Sequence, residues 1–206
     1  VSCAPITVTM LAIHSRRKAG CRNGRVSARK PRSPLGTTAS QSHHTPLRRG
    51  ASWGALEDMT EHSRVIAALA DVPRVRFLPA DVRALAARDE PLPIGHGATN
   101  SQPWTVQFML ELLRVPVGAS VLDVGSGSGW TTALLARLTG PTGRVRGVEI
   151  VPELVEMGRR NLAGCEQPWA SIEPARAGVF GLPDDGPFDR ILVSADPGEI
   201  PAELEQ

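Results

Sequence analysis

Cysteine is scarce in this chain of 206 residues: only Cys3, Cys21 and Cys165 occur, and no two of them are spaced as CxxC. The sequence therefore predicts neither a disulfide framework nor a cysteine-rich zinc site. The five histidines are scattered and none forms an HExxH pair, so we expect no bound metal. Long apolar runs are missing too, and no segment reaches the ~20 residues that a membrane-spanning helix needs.

Acidic residues are absent from the first fifty positions, where ten Lys or Arg residues stand among many Ser, Gly and Pro residues. Residues 51–206 hold the other 13 basic residues and all 21 acidic ones, so a formal total of +2 hides parts of +10 and −8. A segment this charged cannot bury enough apolar surface to offset the entropy lost on ordering. We predict a basic, disordered tail over 1–50 and one folded domain over 51–206.

We predict a basic tail without a specific role, and three other interpretations stay open. Its charge resembles that of a nucleic-acid-binding arm, but no aromatic residue lies between the charges to stack on bases. Its Arg- and Ser-rich composition is also typical of an organelle transit peptide, and Met59 indicates a later translation start as a third interpretation. The apolar stretch APITVTMLAI precedes the positive charges, which is the wrong order for a secretory signal. We predict a cytoplasmic protein with neither nucleic acid nor a membrane as a partner.

Helical and strand patterns alternate along the rest of the chain. Helical spacing is predicted over 61–70, 81–90 and 104–115, and the Pro- and Gly-rich stretch 91–104 between them is predicted to be an irregular loop. Strands are predicted over 120–124, 143–150, 170–175 and 188–195, and two more helices over 130–138 and 152–164. This alternation predicts an open, mainly parallel α/β sheet.

A glycine-rich turn, GSGSG, joins the first of these later strands to its helix. Glycines at 125, 127 and 129 let the backbone turn tightly and approach a ligand, and the helix that follows offers free N–H groups. Glu149 closes the next strand twenty residues after Gly129, where a carboxylate can accept hydrogen bonds from ribose hydroxyls. The run is GxGxG after Asp123, not the GxGxxG of a dinucleotide site. Asp123 either takes part in the site or only braces the loop.

Together, VLDVGSGSGW and VRGVEI resemble the cofactor motif of S-adenosylmethionine-dependent methyltransferases. The preceding PLPIGHGATNSQPWTVQFMLELL resembles the signature of protein-L-isoaspartate O-methyltransferases, which repair proteins by methylating the α-carboxylate of isoaspartyl residues. The resemblance runs from about residue 60 to the end of the chain. It implies the Rossmann-like, mainly parallel sheet of class I methyltransferases, S-adenosyl-L-methionine as cofactor and isoaspartyl-containing proteins and peptides as substrates. We expect a monomer.

The resemblance also implies roles for individual residues. Ser101 matches the active-site serine, with Thr99 and Gln102 beside it in the substrate pocket; helix N-capping is the alternative role for Ser101. The implied cofactor contacts are Asp123, Gly125, Ser126, Gly127, Ser128, Gly129 and Glu149. An α-carboxylate with a pKa of ~3.5 is already anionic at pH 7, so positioning it in line with the sulfonium methyl group replaces a general base.

The sequence departs from the family at several positions. Ala177 stands where the family has an acid that contacts adenine, and Asn100 replaces an aliphatic residue. Trp130 either lines the methionine pocket or packs under the loop, and His96 is expected to be a hydrogen-bonding loop residue. The chain stops at AELEQ, where the family continues with a Lys-Pro-Gly-Gly turn and further strands, so we expect a sheet that is incomplete at the C-terminus.

Three other functions stay open at this point. A relative that methylates aspartate side chains in a peptide precursor has the same motifs. A nucleic-acid methyltransferase has a use for the basic tail, but the sequence contains no NPPY-like motif. An inactive, truncated methyltransferase fold agrees with Ala177 and with the missing C-terminal strands.

Overall fold

The structure, a computed structural model, describes residues 11–14 and 59–195. The strands are β1 (Leu11–His14), β2 (Leu92–Gly95), β3 (Ala98–Asn100), β4 (Ser120–Val124), β5 (Arg144–Glu149), β6 (Ala170–Pro174) and β7 (Arg190–Val193). The α-helices are α1 (Glu61–Asp71), α2 (Pro103–Leu113), α3 (Trp130–Thr139) and α4 (Pro152–Ala163). Short 3₁₀ turns occur at Arg74–Phe77, Arg83–Leu85 and Pro183–Asp185.

Five strands form the main sheet in the order β1-β7-β4-β5-β6, and β2 and β3 form a separate antiparallel hairpin. Neighbours among β4, β5, β6 and β7 pair in parallel, whereas β1 pairs antiparallel with β7. Val124 of β4 is in register with both Val148 and Val193, so three strands end together at one edge of the sheet. The predicted α/β class with a mainly parallel sheet is confirmed.

The sheet is buried on both faces, as a parallel sheet requires. On one face, Val121 of β4 belongs to a core cluster that includes residues of all four helices. The next side chain, Leu122, points to the opposite face, where it clusters with Val124, Leu182 and Phe188. The period of two along a strand therefore separates the helix-covered face from a face covered by the segment that precedes β7.

Two sequence-based predictions of local structure are wrong. Residues 81–90 form only a 3₁₀ turn with backbone bonds of the i→i+3 type, and the carbonyls of Ala86, Arg88 and Glu90 accept hydrogen bonds from the buried Arg74 guanidinium. The stretch 91–104 is not irregular either, since it contains the β2–β3 hairpin. Its turn takes positive φ angles at Gly95, His96 and Gly97, and the two glycines adopt them without strain.

Part of the predicted disordered tail is ordered: residues 11–14 form the edge strand β1. The remainder of 1–50 lies outside the described residues, so the prediction for it stays a prediction. Within the part of the chain that the structure describes, no helix is both long and apolar enough to cross a membrane.

Candidate active site

A cleft of about 880 Å³ opens at the edge where the parallel strands end. Its floor is formed by the carboxyl ends of β4, β5 and β7, which contribute Val124, Glu149 and Ser194. The β2–β3 hairpin closes one side and the loop 175–181 closes another. Ligands of open α/β sheets bind at this position, and the volume is that of a small-molecule site.

The glycine loop follows β4 with positive φ angles of 83°, 51° and 87° at Gly125, Gly127 and Gly129. Gly125 and Gly127 line the cleft, whereas Gly129 is the N-cap of helix α3. A Cβ atom on Gly125 would lie 2.8 Å from Cβ of Ala195, at the end of β7. The loop therefore needs glycine at 125 for its conformation and for its close contact with the neighbouring strand.

Gly158, in the middle of helix α4, supports this loop from below. A Cβ atom there would lie 3.0 Å from the carbonyl oxygen of Gly127 and 2.8 Å from Cδ1 of Ile172. Glycine inside a helix costs about 1 kcal/mol relative to alanine, so its occurrence in this helix was a signal of close packing. Sequence reasoning missed it.

Glu149 is buried, with its carboxylate at the wall of the cleft. Its Oε1 accepts hydrogen bonds from the backbone N–H groups of Ile150 at 2.7 Å and Val151 at 3.0 Å. Its Oε2 accepts one from the N–H group of Gly127 at 2.9 Å. Because each carboxylate oxygen has two lone pairs, Oε2 keeps one for a ligand hydroxyl.

Asp123 lies beneath the loop and does not line the cleft. It is fully buried, and its Oδ2 accepts hydrogen bonds from the hydroxyls of Thr131 at 2.8 Å and Thr132 at 2.7 Å. Burial raises the pKa of Asp123 from its ordinary value of 3.8 to about 6. The two threonine hydroxyls lower this pKa, and the Glu149 charge raises it. The geometry favours the bracing role for Asp123 over direct contact with a ligand.

Asp123 should make stability depend on pH. Its pKa is raised on folding, so the stabilisation of the protonated form is complete below about pH 4 and is lost as the pH rises through about 6. Relative to Asp123→Asn, the unsubstituted protein should gain up to about 3 kcal/mol in free energy of unfolding between pH 7 and pH 4. Urea unfolding at several pH values measures this difference. The exposed Asp81→Asn is the control, and a difference that stays constant with pH contradicts the assignment.

Of the predicted substrate residues, Ser101 and Thr99 line the cleft and Gln102 does not. Gln102, not Ser101, is the N-cap of helix α2, and it makes no side-chain capping bond. The capping role suggested for Ser101 is therefore wrong. Within the described residues no hydrogen bond of the Ser101 hydroxyl is found.

The remaining predicted contacts support the loop from its protein side. Ser126 and Ser128 are buried and, like Gly129, do not line the cleft. Trp130 is buried too and donates from its indole N–H to the carbonyl of Val72 at 3.0 Å, so it packs under the loop. A loop that exposes its backbone to a ligand turns its side chains into the protein.

The family model for protein-L-isoaspartate(D-aspartate) O-methyltransferase matches residues 55–206. The chain belongs to this family. It is 44% identical over 143 residues to the protein-L-isoaspartate O-methyltransferase of Methanothrix thermoacetophila, an alignment that covers 69% of this chain and 68% of the relative. The enzyme of the same name from Myxococcus xanthus is 41% identical over 157 residues, 74% of this chain and 72% of the relative.

A solved structure supports the fold. It is described as a protein-L-isoaspartate O-methyltransferase from Plasmodium falciparum in complex with S-adenosyl-L-homocysteine. Its TM-score to this chain is 0.59 at 24% identity, and the alignment covers 73% of this chain and 72% of that one. This likeness shows the shared architecture of the sheet and its helices.

Two residues singled out in the sequence, Ala177 and His96, also line the cleft of this member of the isoaspartate methyltransferase family. Ala177 lines the loop side of the cleft beside Arg176, and His96 lines the hairpin side. Arg176 donates to Asp184 at 2.8 Å on the exposed surface. Among the described residues, no group of three or more His, Cys, Asp and Glu side chains is placed to hold a metal ion.

Proposed function

We propose that this chain transfers a methyl group from S-adenosyl-L-methionine to the α-carboxylate of L-isoaspartyl residues in damaged proteins. One observation carries the proposal: Ser101 and Glu149 line the same cleft. Ser101, which follows the hairpin, suits a peptide carboxylate, whereas Glu149 at the end of β5 suits a nucleoside. Membership of the family supports both assignments.

The residues of the cleft fit this cofactor. The free lone pair on Glu149 Oε2 accepts a ribose hydroxyl, and Gly125 and Gly127 leave room for the methionine part because they carry no Cβ atoms. Val148 and Ile150, which flank Glu149, offer apolar surface to the base. S-adenosyl-L-methionine supplies an electrophilic methyl group on its sulfonium.

Ser101 acts by orientation. The substrate carboxylate is already ionised at pH 7 and needs no proton removed, so no general base is required. Donation from the Ser101 hydroxyl to one carboxylate oxygen leaves the other free to point along the line of methyl transfer. Proximity and orientation of this kind supply several kcal/mol of a reaction barrier.

Labelled S-adenosyl-L-methionine tests the proposal with two matched peptides, one carrying isoaspartate and the other aspartate. We expect base-labile label on the isoaspartyl peptide alone. Label on the aspartyl peptide would identify a peptide-modifying methyltransferase. Absence of label on both, together with no binding of S-adenosylhomocysteine, would identify an inactive fold.

Glu149→Ala should weaken binding of S-adenosylhomocysteine about 10- to 100-fold, since a charged acceptor is lost from both the ribose and the loop. Titration calorimetry measures the affinity. Glu153→Ala, an exposed acid in the first turn of α4, is the control for the lost charge. Equal affinity in Glu149→Ala and in the unsubstituted protein contradicts the role given to Glu149.

We further infer a cytoplasmic monomer that does not bind nucleic acid. The net charge of −8 over 51–206 repels phosphates from the folded domain. Sedimentation equilibrium tests the monomer, and titration with labelled RNA and DNA at low salt tests the absence of nucleic-acid binding. Salt-dependent binding that is lost on deletion of residues 1–50 would assign that role to the tail.

A further inference from the structure

A buried asparagine lies between two residues that face the substrate side of the cleft. Asn100 is 5% exposed, whereas its neighbours Thr99 and Ser101 both line the cleft. Alternation along strand β3 turns the side chain of Asn100 inward and that of Thr99 outward. Whatever holds Asn100 therefore also holds the two hydroxyl-bearing residues beside it.

Arg74 fixes one end of this asparagine. Its Nε donates to Asn100 Oδ1 at 2.7 Å, and its Nη2 donates to the backbone oxygen of Asn100 at 2.9 Å. Arginine nitrogens only donate, so the amide oxygen must face Arg74 and the amide nitrogen must face away. That nitrogen donates to Ser128 Oγ at 3.1 Å. Arg74 is itself held by the carbonyl oxygens of Arg88 and Glu90.

Ser128 belongs to the glycine loop on the cofactor side. It is 2% exposed and lies between Gly127 and Gly129. The N–H group of Gly127 donates to Glu149, and the carbonyl of Ser128 accepts from Asn161 Nδ2 at 2.9 Å. A displacement of the loop by a bound ligand therefore reaches the hydroxyl of Ser128 directly.

The bond between Asn100 and Ser128 is the one direct link of its kind between the two sides of the cleft. Within the described part of the chain, no other hydrogen bond joins residues 92–102 to residues 125–129. Ile94 also approaches Gly127, but an apolar contact has no directional preference and tolerates small shifts.

We propose that Asn100 is a positioning residue that couples the two ligand sites. It contacts the cofactor side through Ser128, and Arg74 fixes its amide group from the protein side. The inference rests on the proposed function, because it assigns the glycine loop to the cofactor and Ser101 to the isoaspartyl carboxylate. A bound cofactor fixes the loop, the loop fixes Ser128, and Asn100 then holds Thr99 and Ser101 in the geometry that receives the peptide. Coupling of binding free energies is reciprocal, so the peptide tightens the cofactor by the same factor.

Peptide affinity with and without S-adenosylhomocysteine measures this coupling without a chemical step. The probe is an isoaspartyl hexapeptide, titrated against the full chain by fluorescence anisotropy in the absence and in saturating presence of S-adenosylhomocysteine. We expect the ratio of the two dissociation constants to fall about three- to tenfold towards unity in Ser128→Ala and in Asn100→Leu, the value of one buried hydrogen bond.

Two further variants separate coupling from general damage to the loop. Ser126→Ala removes a second buried hydroxyl of the same loop, one without a hydrogen-bond partner among the described residues, and it should keep the ratio. Asn100→Asp should restore it relative to Asn100→Leu, because a carboxylate accepts from Arg74 and also from the Ser128 hydroxyl. In turnover assays Ser128→Ala should raise KM for the peptide more than it lowers kcat.

The outcomes are distinct. Loss of coupling in Ser128→Ala but not in Ser126→Ala supports the proposal, even where Asn100→Leu does not fold. A protein that binds both ligands without coupling, or whose coupling survives Ser128→Ala, overturns the proposal and leaves the function standing. Equal loss in Ser126→Ala also overturns it. A protein that binds neither ligand fails at the proposed function itself.

Discussion

Ser101→Ala is expected to lower kcat/KM for an isoaspartyl peptide about 10- to 100-fold, the range for a hydrogen bond to a charged group. Ser101 lines the cleft, and Gln102 holds the N-cap position of helix α2. Losing the hydroxyl therefore removes a contact to the substrate and leaves the helix start unchanged. Affinity for S-adenosylhomocysteine should change by less than about twofold, because Glu149 and the glycine loop stay in place.

The matched control for Ser101→Ala is Thr105→Ala, which removes a hydroxyl from the first turn of the same helix outside the cleft. Initial rates with varied peptide at saturating cofactor, together with calorimetry, separate the two effects. A parallel loss of cofactor affinity and thermal stability in Ser101→Ala would show that the residue supports the fold. Unchanged kcat/KM would remove Ser101 from the reaction.

The sequence predicted best where local patterns decide the structure. Strand β4 was predicted at its observed bounds, because SVLDV is short, apolar and followed directly by glycines. Helix α4 was predicted from Pro152 at its start and Gly164 at its end. Glu149 was placed at the cleft by the same logic, since parallel strands end at one edge of a sheet.

Long-range contacts caused the failures. Residues 81–90 carry helical spacing, but their backbone closes only i→i+3 bonds, and the Arg74 guanidinium binds three carbonyls of the segment. The hairpin at 91–104 escaped detection because prolines and glycines read as a loop in the absence of a partner strand. Asn100 looked like an isolated departure from the family, since its two partners lie 26 and 28 positions away. No local rule reports on such pairs.

Gly125→Ala should have an effect of similar size on the cofactor side of the cleft. An added Cβ would lie 2.8 Å from Cβ and 2.9 Å from the backbone nitrogen of Ala195, closer than atoms of these kinds approach. The loop must move away from the end of β7 to relieve the overlap. A misplacement of about 1 Å can cost a site about 100-fold in rate. We therefore expect affinity for S-adenosylhomocysteine to fall about 10- to 100-fold.

Gly118→Ala separates two causes of the expected loss of affinity, the strain of the left-handed backbone and the overlap with Ala195. Gly118 has a φ angle of 78°, close to the 83° of Gly125, but an added Cβ there meets its nearest atom at 3.4 Å and lies outside the cleft. Both variants should lose about 1 kcal/mol of stability from the left-handed conformation. Only Gly125→Ala should also lose cofactor affinity by calorimetry. Equal affinities of Gly125→Ala and the unsubstituted protein would mean that the loop tolerates the shift. Its close approach to β7 would then serve the fold and not the ligand.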